Sequence, residues 1–132
     1  MTIEYISHIR RNENGDIEAF QNNADHCLGV ALLAKQFANE FGMGDWGYIL
    51  GLLHDKGKEK KEFQDYIRDI NGIPNHKGWT PQGKAHSYVG AIMAEKLYPE
   101  YYPIMSQPIM GHHGGMQNYC DFKESMNQDI PK

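Results

Sequence analysis

The sequence predicts an all-α fold, a compact helical bundle with metal-ligating side chains at converging helix ends. Three observations predict it. Apolar residues recur at spacings of three and four from Asn22 onward, while strand-like alternation is weak. Glycines and prolines punctuate the chain at helix-sized intervals. The chain also holds seven histidines, most of them where those helical stretches begin or end.

In chain order, the first twenty residues are mixed, and Asn14-Gly15 reads as a turn between two short segments. From Asn22 the pattern is helical, with Asp25 as the expected N-cap and Val30, Leu33, Phe37 and Phe41 as the inward stripe. Gly42 and Gly44 end that helix. A second begins near Asp45, carries Trp46, Ile49, Leu50 and Leu53 on one face, and closes by Gly57. The third, from Glu59 to Ile70, is charged outside and apolar at Phe63, Tyr66, Ile67 and Ile70. A loop follows to Lys84. The fourth helix runs from about His86 to Leu97, with Val89, Met93 and Leu97 inward. Pro103 suits a helix start, whereas Pro108 removes a backbone donor and predicts a kink or a restart. Residues 116–132 are polar and show no clear period.

With 132 residues the chain supports one domain, taken as 1–132, with the ligand-bearing core at about 22–115. No run of about 20 apolar residues is present to span a membrane. The charged N-terminal stretch lacks the apolar core of a signal peptide. Cys27 and Cys120 make neither a metal pair nor a disulfide framework, so a cytoplasmic setting is expected. A net charge of -4 removes the simplest nucleic-acid signal, a domain that is basic overall.

The histidines carry the chemistry. His26 lies in the first turn of the first helix, and His54-Asp55 closes the second. His86 opens the fourth, and His112-His113 stands between glycines where the fifth segment ends. Singly, each has an ordinary explanation as a capping, helix-end or backbone-bonded residue. Together they form the donor set with which helical bundles build metal sites in their cores. Asp55 is the natural bridge, because a carboxylate can give one oxygen to each of two ions. Nitrogen and oxygen donors without thiolate favour Mn, Fe, Co, Ni or Zn. The glycines around His112-His113 suggest close backbone approach. His8 and His76 lack this context and read as surface or loop residues.

On these residues the sequence resembles the HD superfamily of metal-dependent phosphohydrolases. The resemblance is closer to one branch, the HD nuclease domain of the CRISPR-associated type I helicase-nuclease. The likeness rests on Asp25 to Ala31, on Gly51 to Lys58 (GLLHD-x-GK), on Phe63-Gln64, on His86 to Ala91 (HS-x-x-GA) and on Gly111 to Gly115 (GHHGG). Tyr5 to His8 and Phe20-Gln21 match the family's early motif.

The resemblance implies an endo- and exonuclease of single-stranded DNA using one or two divalent transition-metal ions (Mn, Fe, Co or Ni, with Mg as an alternative). It implies His26, His54 and Asp55 as ligands of a first ion, and Asp55, His86, His112 and His113 as ligands of a second. It gives Lys58 the place of a lysine facing the scissile phosphate. The implied partners are single-stranded DNA, a CRISPR helicase domain or subunit, and the surveillance complex that opens the target, with no membrane involved. No phosphate-binding loop of the G-x-x-x-x-G-K-[ST] type occurs here, so the helicase activity is expected in a continuation of the chain or a separate protein.

One departure stands out. The family closes its first metal site with a downstream aspartate, and neither Asp121 nor Asp129 has a matching context in the seventeen residues after Gly115. The expectation is either a truncated form or a nearby carboxylate in its place, with a complete second-ion set and a first-ion set one ligand short. Two other readings compete: an HD phosphohydrolase of nucleotides or cyclic nucleotides, and a non-catalytic HD module. Of the basic cluster Lys56, Lys58, Lys60 and Lys61, the last two read as a solvated helix face. Trp79, Tyr88, Tyr101, Tyr102 and Tyr119 read as packing residues rather than base-stacking ones.

Overall fold

The computed structural model describes residues 5–74 and 78–129, and His76 lies outside the described residues. The element order is β1 (Ile6–Arg11), β2 (Ile17–Asn22), α1 (Asn23–Asn39), α2 (Gly44–Leu53), a 3₁₀ turn (Lys56–Glu59), α3 (Lys61–Ile70), α4 (Ser87–Leu97), α5 (Tyr102–Gly111) and α6 (Tyr119–Met126). The fold is helical, as the periodicity predicts, with one small addition. The two short segments around Asn14-Gly15 pair as an antiparallel hairpin, and Gly15 adopts the positive φ that the turn requires.

The hairpin is irregular where it matters. Ile6 pairs with Asn22 and His8 with Gln21, so Ser7 is an extra residue and forms a β-bulge. Gln64 of α3 fixes this strand. Its side chain accepts from the Ile6 N–H at 2.8 Å and donates to the Ile6 carbonyl at 2.9 Å and the Lys58 carbonyl at 2.7 Å. The bulge is thereby held beside the turn that follows Asp55.

The main core joins Leu53 of α2 to Tyr88, Val89, Ala91, Ile92 and Ala94 of α4, Met105 and Ile109 of α5, and Phe122 and Met126 of α6. Ser106 is fully buried and donates to the Ala91 carbonyl at 2.7 Å, tying α5 to α4. A smaller cluster of Ile6, Phe63 and Ile67 seats the hairpin on α3.

Several expectations are corrected. Asn22, not Asp25, caps α1, its side chain accepting from the Ala24 N–H. The stripe of α1 is also displaced. The buried residues are Asn23, Cys27, Ala31 and Ala38, while Leu33, Phe37 and Phe41 are exposed. The cause is the closeness of α2: a Cβ at Gly51 would stand 2.4 Å from the Ala31 Cα, and one at Gly47 2.4 Å from the Ala34 carbonyl oxygen. Helices that near can face each other only through small residues. Ile70 and Leu97, expected inward, are also exposed at the ends of their helices. Helix α5 runs through Pro108 without restarting. The stretch after Gly115, which shows no period, contains α6, capped by Asn118 and anchored by Phe122 and Met126.

Candidate metal centre

Four helix ends meet at Asp55, which is 3% exposed and follows the C-cap of α2. Its two carboxylate oxygens face different neighbours. Toward Oδ2 lie His26 Nε2 at 3.0 Å, His54 Nε2 at 3.3 Å and Lys58 Nζ at 3.0 Å. Toward Oδ1 lie His112 Nε2 at 3.1 Å and His86 Nε2 at 3.3 Å. His113 reaches the second group through His86, with the two Nε2 atoms 2.9 Å apart. Asp55, His86, His112 and His113 hold ligand atoms within 4.8 Å of one another, and so do His8, His26 and Asp55. All six residues expected as ligands therefore gather at one place.

The backbone orients the rings. His54 Nδ1 lies 2.7 Å from the Gly51 carbonyl, His112 Nδ1 2.7 Å from the Ile109 carbonyl, and His86 Nδ1 3.4 Å from the Lys84 carbonyl. A carbonyl only accepts, so each Nδ1 carries a proton and each ring turns Nε2 toward Asp55, where that nitrogen donates to the carboxylate when it holds a proton and offers a lone pair to a metal when it does not. Helix-end histidines do this readily, since the last carbonyls of a helix lack intrahelical donors. Asn23, missed in the sequence, is fully buried at the start of α1 and donates to the Asp55 backbone carbonyl at 3.2 Å. The signal for it is weak: an asparagine just inside a helix start.

The electrostatics follow from this ring of donors. Burial pushes the Asp55 carboxyl up, but hydrogen bonds from His112, His54, His86 and Lys58 outweigh it and hold the group far below the usual carboxylate range. His112 is raised by its bond to Asp55, against burial. Burial lowers His26 and His113, so these rings are neutral near neutral pH. A permanently ionised carboxylate with both oxygens presented to imidazole nitrogens suits a divalent ion of borderline hardness. The donor set therefore fits a metal.

Lys58 is 5% exposed and also donates to Ser7 Oγ at 3.3 Å and His8 Nε2 at 3.4 Å. His8 was expected at the surface. It is exposed, yet its ring lies edge-on to His26 with centroids 4.7 Å apart. Beside the cluster opens a cavity of about 580 Å³, whose lining includes His8, Lys58, Phe63, Tyr66, Lys84 and His113. Trp79 packs on Tyr66 and donates to Asp69, and Tyr88 is buried, in keeping with packing roles. Lys60 departs from the solvated face expected of it, its ammonium lying 4.9 Å over the Tyr88 ring. Of the glycines beside the histidine pair, Gly111 meets the expected close backbone, a Cβ there standing 3.3 Å from the Met116 nitrogen, and the two after the pair serve a turn. Gly115 takes positive φ and donates to the Gly111 carbonyl at 2.7 Å, while Gly114 faces open space.

A helical domain that surrounds one buried carboxylate with imidazoles from separate helix ends has the donor set of a metal-dependent hydrolase. The HD domain family model matches residues 23–131, and the chain belongs to that family. HD domains typically bind divalent metals and hydrolyse phosphoesters. No curated protein and no solved structure matches the chain. Among the described residues, no helix is long and apolar enough to cross a membrane.

Proposed function

We propose that the chain is a metal-dependent phosphodiesterase acting on single-stranded DNA, an HD nuclease of the type I CRISPR helicase-nuclease kind. The observation that carries the reading is the division of Asp55, one oxygen toward His26 and His54 and the other toward His86 and His112. Paired sites of this kind clamp both oxygens of an in-line displacement at phosphorus. The nuclease branch is supported by GLLHD-x-GK, HS-x-x-GA and GHHGG occurring together.

His26, His54 and Asp55 would hold one ion, and Asp55, His86, His112 and His113 the other. Bound there, Mn, Fe, Co or Ni, or Mg in their place, supplies a water-derived nucleophile at neutral pH and neutralises phosphoryl charge. The chain's own residues do the rest. Lys58 borders both Asp55 and the cavity, so its ammonium meets a non-bridging phosphate oxygen and stabilises charge that grows in the transition state. Lys84 adds positive charge at the cavity wall, offsetting locally the acidic balance of the chain. The hydrogen bonds to Gly51 and Ile109 hold the imidazoles in register. A helicase supplied by a continuation of the chain or a separate protein delivers the strand, the surveillance complex opens the target, and the setting is cytoplasmic.

The cavity favours a second reading, since about 580 Å³ is the size of pockets that enclose small ligands. An HD phosphohydrolase of nucleotides or cyclic nucleotides would use the same ligands. Incubation of circular single-stranded DNA with Mn²⁺ tests the first reading, with Asp55→Ala as control. Linearisation lost in the variant supports the nuclease. Turnover of small nucleotides alone favours the second reading, and silence on both favours a non-catalytic module.

A further inference from the structure

Asp55 is the only carboxylate in either converging group among the described residues. Asp121 joins neither group. It sits at the start of α6, where its carboxylate accepts from Asn118 at 2.7 Å.

We propose that His8 is the ligand that completes the first ion's set, joining His26, His54 and Asp55. The inference rests on the metal-centre reading above and concerns this chain's own hairpin. Three observations carry it. His8, His26 and Asp55 bring ligand atoms within 4.8 Å of one another from a strand, a helix and a turn. His8 Nε2 lies 3.4 Å from the Lys58 ammonium. An ammonium only donates, so that nitrogen presents its lone pair to the site, the form a ligand requires.

The third observation is the bulge. On a regular strand Ser7 and His8 would point to opposite faces. With Ser7 as the extra residue, both side chains reach Lys58, Ser7 Oγ at 3.3 Å and His8 Nε2 at 3.4 Å. Bulges re-aim side chains in this way beside active sites. Gln64 ties the strand to the Lys58 carbonyl, so the hairpin is held where His8 comes within 4.8 Å of Asp55.

Metal stoichiometry tests the assignment without any turnover. The chain is stripped with chelator, titrated with Mn²⁺ or Co²⁺ in a calorimeter, and assayed for bound metal after desalting. The wild-type chain binds two ions. His8→Ala, with an unchanged circular-dichroism spectrum, keeps one and loses affinity for the other at least tenfold. His8→Asp restores the second ion, because a carboxylate can take the same position, a result no packing role of His8 would give. Two ions held by His8→Ala at wild-type affinity overturn the inference and leave the metal reading intact, whereas one ion in the wild-type chain overturns it together with the two-ion reading of Asp55. A wild-type chain that binds no transition metal defeats the metal reading itself, and the inference with it.

Discussion

Gly57 and His86 touch backbone to backbone: a Cβ built on Gly57 would lie 1.9 Å from the carbonyl oxygen of His86. The turn after Asp55 thus rests on the start of α4, and His86 Nε2 comes to 3.3 Å from Asp55 Oδ1. Gly57→Ala forces the two apart. Overpacking of this kind costs about 1–3 kcal/mol. Metal affinity should fall more at the His86, His112 and His113 group than at the His26 group. Chemical denaturation and Mn²⁺ titration of the variant check this; a stable variant with wild-type metal affinity contradicts it.

Asp55→Ala should abolish metal binding and hydrolysis together, since both groups of imidazoles share that carboxylate. In the metal-free chain it also strands Lys58, which is 5% exposed. An unpaired buried charge of that kind costs on the order of 3 kcal/mol. Metal analysis and thermal melts report the two effects separately. An active, metal-loaded Asp55→Ala protein would falsify the bridge assignment.

Lys58→Met separates charge at the phosphate from metal binding. The methionine keeps the length of the stem beside Phe63, over whose ring the ammonium now stands at 5.9 Å. The expected result is retained metal and kcat lowered by about 10²–10³-fold, the scale of losing one transition-state donor. Loss of metal with activity would instead make Lys58 part of the metal scaffold.

Proton release should accompany metal binding, and His112 is its source. Its bond to Asp55 holds it above 6.5, against burial, whereas burial holds His26 and His113 below that value. A ligand needs its lone pair, so affinity rises about tenfold per pH unit until the pH passes the raised value of His112. The stability this pair gives the metal-free chain runs the other way. It is full below 6.5, the unfolded value, and is lost as pH rises through the folded one. Calorimetry in buffers of different ionisation enthalpy measures the protons released. Affinity flat between about pH 6 and 8, with none released, would contradict this account.

The positions of the ligands were legible because each stands at the end of a periodic stretch, where glycine or a helix stop marks the boundary. Their convergence could be inferred only from the chemistry of the set. The stripe of α1 was misread because periodicity weighs large apolar residues, whereas α1 meets α2 through Ala31 and Gly51 and leaves Phe37 and Phe41 outside. Helix α6 escaped notice because its apolar face is only Phe122 and Met126; Asn118 three residues before Asp121 was the available capping signal. The nearness of exposed His8 to the site is illegible for a different reason. Strand alternation gives no hint of the bulge at Ser7, and the bulge depends on Gln64 from another element.

The proposed function requires Asp55 to serve two metal positions, one oxygen to each. Anomalous diffraction from crystals of the chain grown with Mn²⁺ tests it most directly. Two peaks about 3.5–4 Å apart are expected, one on Oδ2 with His26 and His54 and one on Oδ1 with His86 and His112. A lone peak on one oxygen, or manganese bound away from Asp55, would contradict it.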